Sequence, residues 1–165
     1  MAWENEYGGR RWLVKAVREA AGELLGAFRG VDERGLRWRP AEGEWCLKEV
    51  AAHLRDAEQL YHRQIELIMH RRNPELPHEA LDVLPSERDY RDERLSDLVY
   101  EFQAGRDETV WLLRMLDEDD WQRRGIHPYK GSITILDIAR DIHEHDLEHL
   151  WQARKLLDGL AQRTR

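Results

Sequence analysis

Residues 134–157 read TILDIARDIHEHDLEHLWQARKLL, and their apolar side chains recur at the spacing of a single helix face. The stripe comprises Ile135, Ile138, Ile142, Ala153, Leu156 and Leu160. Two histidines, His145 and His149, fill the gap in this stripe and stand four residues apart, which places both imidazoles on one helix face. Inward-facing imidazoles need partners, because an unpaired buried polar group costs roughly 1–3 kcal/mol. A metal ion bound by both rings is one such partner.

Three earlier segments have the same helical periodicity, and no convincing strand alternation or internal repeat accompanies them. Ser132 and Thr134 are N-cap candidates for the last helix, and Thr134 with Asp137 resembles a capping box. Four amphipathic helices of this length predict an all-α fold, a four-helix bundle. The predicted helices are Arg10–Phe28, Cys46–Arg72, Glu93–Leu116 and a fourth that ends near Leu157.

The composition predicts a globular protein with a charged surface. The 165 residues are 41% hydrophobic and 36% charged, which suits a single domain spanning residues 1–165. A net charge of −7 weighs against nucleic-acid binding. No apolar run approaches the roughly 18 residues of a membrane span, so no membrane partner is expected. The N-terminus lacks signal-peptide features, and the single cysteine suits a reducing compartment, so we expect a cytoplasmic protein.

A third histidine, His53, lies on the inner edge of the second predicted helix, beside Val50 and Ala57. If the second and fourth helices pack together, His53 can meet His145 and His149. Three neutral imidazoles suit Zn²⁺, Ni²⁺ or Fe²⁺ and would leave one coordination position open, as in catalytic sites. The alternative is three separate core histidines that hydrogen-bond to nearby Asp and Glu. The spacing alone leaves both interpretations open, and it identifies no catalytic residue and no organic cofactor.

Two motifs in the expected order resemble those of the DinB-like superfamily, four-helix proteins that include thiol transferases. The first is Trp38-Arg39-Pro40 followed by GEWCLKEVAAHL at residues 43–54, and the second is HDLEHLWQ at residues 145–152. The resemblance covers roughly residues 10–157. It implies a single DinB-like domain, an up-down-down-up bundle and a divalent metal site formed by His53, His145 and His149.

The resemblance also implies a function, a metal-dependent transferase that joins a low-molecular-weight thiol to a small electrophile. The open metal position would bind the thiol and lower its pKa. A metal-dependent hydrolase would use the same site for other chemistry. An alternative from a different class is a stress-associated metal- or ligand-binding bundle without catalysis. A homodimer is plausible, because long bundle helices often expose a second apolar face.

Several residues near these motifs have two interpretations. Cys46 replaces the Ser or Thr common in such capping boxes, and we favour a tolerated cap over a thiol activated by the helix N-terminus. Gln152 either orients a metal ligand or touches substrate, or it is a polar side chain in the helix packing with no role in the site. Asp146 and Glu49 either accept imidazole N–H groups or, as we favour, are helix-surface charges.

The remaining candidates lie outside the motifs or beside them. Arg106 interrupts the third helix's apolar stripe, and we favour a solvated side chain over an anion-binding one. Trp45 is a candidate wall of the pocket. His143 should face away from His145 and is excluded as a ligand. Four histidines without partner spacing are expected on the surface or in loops: His62, His70, His78 and His127.

Overall fold

Four long helices account for most of the structure. A computed structural model describes residues 2–83 and 88–163, with side chains from residue 9 onward except at position 91. The helices are α1 (Ala2–Phe28), the short α2 (Glu33–Leu36), α3 (Leu47–His70), α4 (Leu95–Met115) and α5 (Ile135–Arg163). Two single 3₁₀ turns, Tyr90–Asp92 and Asp120–Gln122, precede α4 and follow it.

The helix ends differ most from the predicted bounds at the two chain termini. α1 begins at Ala2, earlier than the predicted Arg10, and α5 continues past Leu157 to Arg163. The second extension carries Gly159 inside the helix, where it packs so closely on Trp38 that an added Cβ would lie 2.5 Å from the indole ring. The unpredicted α2 is capped by Asp32, which accepts the Gly35 N–H at 2.7 Å.

A small β-hairpin, which the sequence pattern did not predict, accompanies the helices of the all-α bundle. β1 (Arg124–His127) and β2 (Gly131–Thr134) pair antiparallel, with Arg124 opposite Thr134 and His127 opposite Gly131. Gly131 has φ +72°, the left-handed conformation that suits the end of a three-residue hairpin loop. The chain after α3 joins this hairpin, because Ile126 exchanges backbone hydrogen bonds with Pro74 and Leu76. Strands of four residues are too short to show an alternation in the sequence.

The long helices form an up-down-down-up bundle, as the resemblance implied. α1 and α5 are parallel, and so are α3 and α4. In each pair, a residue later in one helix contacts a residue later in the other. The two pairs are mutually antiparallel, since Arg10 of α1 lies beside Glu118 and the later Val17 lies beside Arg106. The contacts that show the parallel pairs are Trp12–His143, Glu23–Arg154, Glu58–Arg106 and His62–Thr109.

Two apolar clusters fill opposite ends of the bundle and leave a polar layer between them. One includes Leu24, Phe28, Val50, Leu98 and Leu156. The other includes Leu13, Ile65, Leu113, Ile138 and Ile142. The buried polar side chains between the two clusters are His53, Glu58, Arg106, Thr109, Asp146 and His149. This layer holds the candidate site.

Among the described residues, no helix has an apolar stretch long enough to cross a membrane.

Candidate metal centre

The start of α3 fixes the position of His53. Cys46 is the N-cap, and its backbone N–H donates to the Glu49 carboxylate at 3.0 Å, while its sulfur faces the Glu49 N–H to complete a capping box. Arg39 holds the same carboxylate with two hydrogen bonds of 2.6 and 2.7 Å. His53 lies seven residues after the cap, two turns into the helix, and is buried.

The start of α5 fixes His145 and His149 in the same way. The Thr134 hydroxyl accepts the Asp137 N–H at 3.0 Å, and the Asp137 carboxylate accepts the Thr134 N–H at 2.9 Å. This confirms the predicted capping box. The helix then places both histidines on the face that packs against α3.

The three predicted ligands converge. Their candidate nitrogen atoms all lie within 4.8 Å of one another. The ring centroids are 4.9 Å apart for His53 and His145, 4.5 Å for His53 and His149, and 4.4 Å for His145 and His149. The Nε2 atoms of His53 and His145 are 2.7 Å apart, so one Nε2–H donates a hydrogen bond to the other Nε2 unless a cation lies between the rings. A cation among the rings would satisfy both lone pairs at once.

The Gln152 side chain determines which nitrogen of His149 carries a proton. The Nδ1–H of His149 donates to the Gln152 side-chain oxygen at 2.8 Å. In a neutral imidazole, a proton on Nδ1 leaves Nε2 with a free lone pair. The structure therefore supports the interpretation that Gln152 orients a ligand.

Burial keeps two of the rings neutral. It lowers the pKa of His53 to about 4, with a further contribution from His149. It lowers the pKa of His145 to about 2, assisted by His149, His53 and the Arg106 guanidinium. A neutral imidazole is the form that binds metals, so both rings are ready ligands at neutral pH.

The Nδ1 atom of His53, unlike that of His149, has no side-chain partner in the described part of the chain that fixes its proton. Its buried Nδ1 makes no hydrogen bond of good geometry with a described residue. The Leu81 carbonyl lies near enough to favour a proton on the ring, against the larger effect of burial. The tautomer with the proton on Nδ1 points the lone pair of Nε2 toward the other two histidines.

Aromatic side chains close one side of the cluster. The Trp45 indole stacks on His149 with ring centroids 5.9 Å apart and planes within 10°, and it meets His53 edge-on at 5.0 Å. Trp45 is therefore a wall of the site, as predicted. Tyr61 meets His145 edge-on at 5.8 Å, and burial followed by the charge of Asp141 raises the pKa of its hydroxyl.

The other side opens into a cavity of about 460 Å³ that His53 and His145 line. Its volume suits a small molecule. The polar residues around it are Tyr61, Gln64, His78, Glu79, Asp82, His127, Lys130 and Asp141. Lys130 and Asp141 form an ion pair across its rim. A ligand held by the three imidazoles would thus meet carboxylates as well as a cation.

Sequence reasoning did not identify the two aspartates of this cavity. Asp141 stands four residues before His145 on α5, so it shares the face of the histidines, and that spacing was an available signal. Asp82 comes from the irregular chain between α3 and α4, and no sequence pattern indicates which way such a segment folds.

Arg106 and Asp146 correct two predictions, because neither side chain is at the surface. Arg106 is 3% exposed and Asp146 1% exposed. The guanidinium makes two hydrogen bonds to the Asp146 carboxylate at 2.6 and 3.0 Å, and Nε donates to Glu58 at 2.8 Å. Asp146 therefore bonds to Arg106 and does not accept an imidazole N–H, and Arg106 is neither solvated nor available to a substrate.

The capping residues of α3 were only partly foreseen. Glu49 is buried at the cap and does not act as a surface charge. Burial raises the pKa of the Cys46 thiol, so the thiol stays protonated at neutral pH. The favoured interpretation of Cys46 as a tolerated cap agrees with this direction.

The other histidines lie outside the cluster. His143 packs edge-on against Trp12 at 5.4 Å, away from the site as predicted. His70 and His78 are exposed. The prediction that His62 lies at the surface is only partly correct, because the side chain is half-buried and its Nδ1 is hydrogen-bonded to the Thr109 hydroxyl at 3.0 Å. The same prediction is wrong for His127, which lies in β1 and is buried beside His78.

The donor set fits a divalent metal ion. Three imidazole nitrogens lie close together, burial keeps the His53 and His145 rings neutral, and a hydrogen bond to Gln152 orients the His149 ring. Imidazole is a preferred ligand of zinc, nickel and iron. The adjoining cavity leaves space at the cluster for an exogenous ligand.

Comparison with known proteins gives the same fold and one family. YfiT from Bacillus subtilis, described as "a probable metal-dependent hydrolase with an unusual four-helix bundle topology", superposes with a TM-score of 0.84 at 18% identity, over 92% of this chain and 87% of that one. The uncharacterized protein YuaE from Bacillus subtilis (strain 168) is 22% identical over 161 residues, or 90% of this chain and 99% of YuaE. The family model of the DinB superfamily matches residues 16–153. The chain belongs to the DinB superfamily.

Proposed function

We propose that the protein is a divalent-metal-dependent enzyme, and that it transfers a low-molecular-weight thiol to a small electrophile. The observation that carries the proposal is the convergence of three imidazoles, from His53, His145 and His149, beside a cavity of about 460 Å³. When bound, the metal would supply Lewis acidity at an open coordination position.

The protein residues would prepare and enclose this position. Gln152 holds the His149 ring in one tautomer, and Trp45 covers the side away from the cavity. Asp82 and Asp141 bring carboxylates to the cavity, where either can accept a proton from a bound nucleophile. The Tyr61 hydroxyl stays protonated, because its pKa is raised, and remains a hydrogen-bond donor.

Metal binding is the first step to test. We expect elemental analysis of untagged protein, purified without chelator, to find about one equivalent of Zn, Ni or Fe per chain, since three ligands of one chain form the site. His149→Ala should reduce the content to background. His143→Ala is the matched control, because His143 lies on the same helix outside the cluster, and it should retain the metal. If the parent binds none of these ions on reconstitution, the proposal is wrong.

The reaction class is tested with the metal-loaded protein. We expect turnover of electrophiles such as alkyl halides or epoxides only when a low-molecular-weight thiol is present, with loss of activity in His149→Ala. Turnover that does not depend on a thiol would contradict transfer. Metal binding without turnover of either kind would favour the non-catalytic, stress-associated bundle.

Hydrolysis is the second candidate, and two observations favour it. YfiT, which shares this fold, is described as a probable metal-dependent hydrolase. The carboxylates of Asp82 and Asp141 also suit deprotonation of a water molecule. Release of product from ester or amide substrates in the absence of thiol would support this candidate.

A further inference from the structure

A second cavity, of about 580 Å³, lies between the first half of α1 and the end of α4. It shares no lining residue with the cavity beside the three histidines. Its volume lies in the usual range of small-molecule sites.

The lining of this second cavity is basic, although the whole chain has a net charge of −7. Five basic side chains line it, against the two acidic side chains of Asp117 and Glu118. Glu118 is largely exposed to water, and the Asp117 carboxylate accepts the backbone N–H of Asp120 at 3.0 Å. The basic residues are Arg10, Arg11, Lys15, Arg18 and Arg114.

Most of these cations lack an acidic partner. Among the described residues, Arg11, Arg18 and Arg114 make no side-chain hydrogen bond or ion pair, and Lys15 reaches Glu19 only at 3.7 Å. Arg11, Lys15 and Arg18 stand four and three residues apart, so they share one face of α1. Like charges at this spacing repel and destabilise a helix. A bound anion would relieve the repulsion.

Arg10 adds a buried cation whose hydrogen bonds are incomplete. Its side chain is only 9% exposed. One terminal nitrogen reaches the Glu118 carbonyl at 3.5 Å and the Glu118 carboxylate at 3.9 Å, both long contacts. Its Nε is buried without a partner among the described residues. The unused Nε–H of this buried guanidinium is therefore a donor that an oxyanion can accept.

The rest of the lining is apolar. It consists of Val14, Leu113 and Leu116 with the indole rings of Trp12 and Trp121. Arginine forks match the geometry of phosphate oxygens, and indoles accept an apolar or aromatic group. We infer that this cavity binds a small organic phosphate, with the phosphate on the arginines and its apolar portion against Trp12 and Leu113.

The test is calorimetric titration of the full-length protein with phenyl phosphate, inorganic phosphate and benzoate at low salt. We expect phenyl phosphate to bind with a Kd below about 1 mM, tighter than inorganic phosphate, because only the former contacts the apolar wall. Arg114→Gln should weaken binding about tenfold or more, because charged hydrogen bonds of this kind are strong. Arg140→Gln makes the same charge change on exposed α5 surface and should leave the Kd unchanged.

Three outcomes would overturn the inference. They are no measurable binding of phenyl phosphate, equal weakening by Arg114→Gln and Arg140→Gln, and loss of binding in His149→Ala, which would locate the anion at the imidazoles. Benzoate binding as tight as phenyl phosphate would overturn the phosphate assignment. Arg114 has no partner among the described residues, so its substitution should not disturb folding.

Discussion

At the scale of single residues, the chemistry of the site depends on where protons are held. Gln152 keeps a proton on Nδ1 of His149, and burial keeps the His53 and His145 rings neutral. A side chain that does not itself bind the metal can therefore fix the tautomer and the orientation of a histidine that does. Gln152 occupies this position because it follows His149 by three residues on the same face of α5.

We expect Gln152→Leu to raise the Kd for Zn²⁺ roughly 10–100-fold, because loss of the partner frees the His149 ring to rotate and change tautomer. Gln152→Glu should retain the affinity, since a carboxylate also accepts the Nδ1–H. Competition with a chromophoric zinc chelator measures both variants. Gln103→Leu, at an exposed position of α4, is the control. Unchanged zinc affinity in Gln152→Leu would show that the hydrogen bond does not orient the ligand.

At the scale of helices, two capping boxes determine where α3 and α5 begin, and thus where the three histidines lie. The box at α3 has a cysteine where a hydroxyl residue would be the better acceptor. Its other half, Glu49, is strengthened by the ion pair with Arg39. The start of α3 therefore depends more on the carboxylate than on the N-cap side chain.

A comparison of Cys46→Ser with Cys46→Ala isolates the cap, because serine and alanine are similar in size and only serine can accept the Glu49 N–H. We expect the serine variant to be the more stable by about 1 kcal/mol. Urea unfolding of both variants measures the difference. Equal stabilities would indicate that Glu49 and Arg39 alone fix the start of α3.

At the scale of the whole molecule, Arg106 joins all four long helices through the polar layer. From α4 it bonds to Glu58 of α3, to Asp146 of α5 and to the Val17 carbonyl of α1, the last at 2.9 Å. The Glu58 carboxylate is also bonded by the Thr109 hydroxyl at 2.6 Å. Because Asp146 is next to His145 in sequence, this network and the histidine cluster depend on one register between the helices.

We expect Arg106→Met to lower the free energy of unfolding by about 3–5 kcal/mol, because it leaves Glu58 and Asp146 buried without their cation. Urea denaturation checks this, with Arg114→Met on the same helix as a control that should change stability by less than about 0.5 kcal/mol. The triple variant Arg106→Met, Glu58→Gln, Asp146→Asn should recover part of the loss, since no buried charge is left unpaired. A change below about 1 kcal/mol in Arg106→Met would mean that the network contributes little to stability.

The sequence by itself determined the features that depend on neighbours along the chain. The 3.6-residue apolar period located the four long helices, and the Thr134–Asp137 capping box was identified where the structure has it. The spacing of His145 and His149 placed both rings on one face for the same local reason. The DinB motifs supplied the up-down-down-up order and the pairing of His53 with the other two, which periodicity does not contain.

Only the tertiary structure decided which groups meet across helices. Arg106 and Asp146 look like surface charges one helix at a time, and they become buried because each supplies the opposite charge that makes burial of the other tolerable. The β-hairpin and Asp82 likewise depend on contacts with distant parts of the chain. Helical periodicity reports which face of an element is turned inward, whereas the partner on that face is selected by packing between segments far apart in sequence.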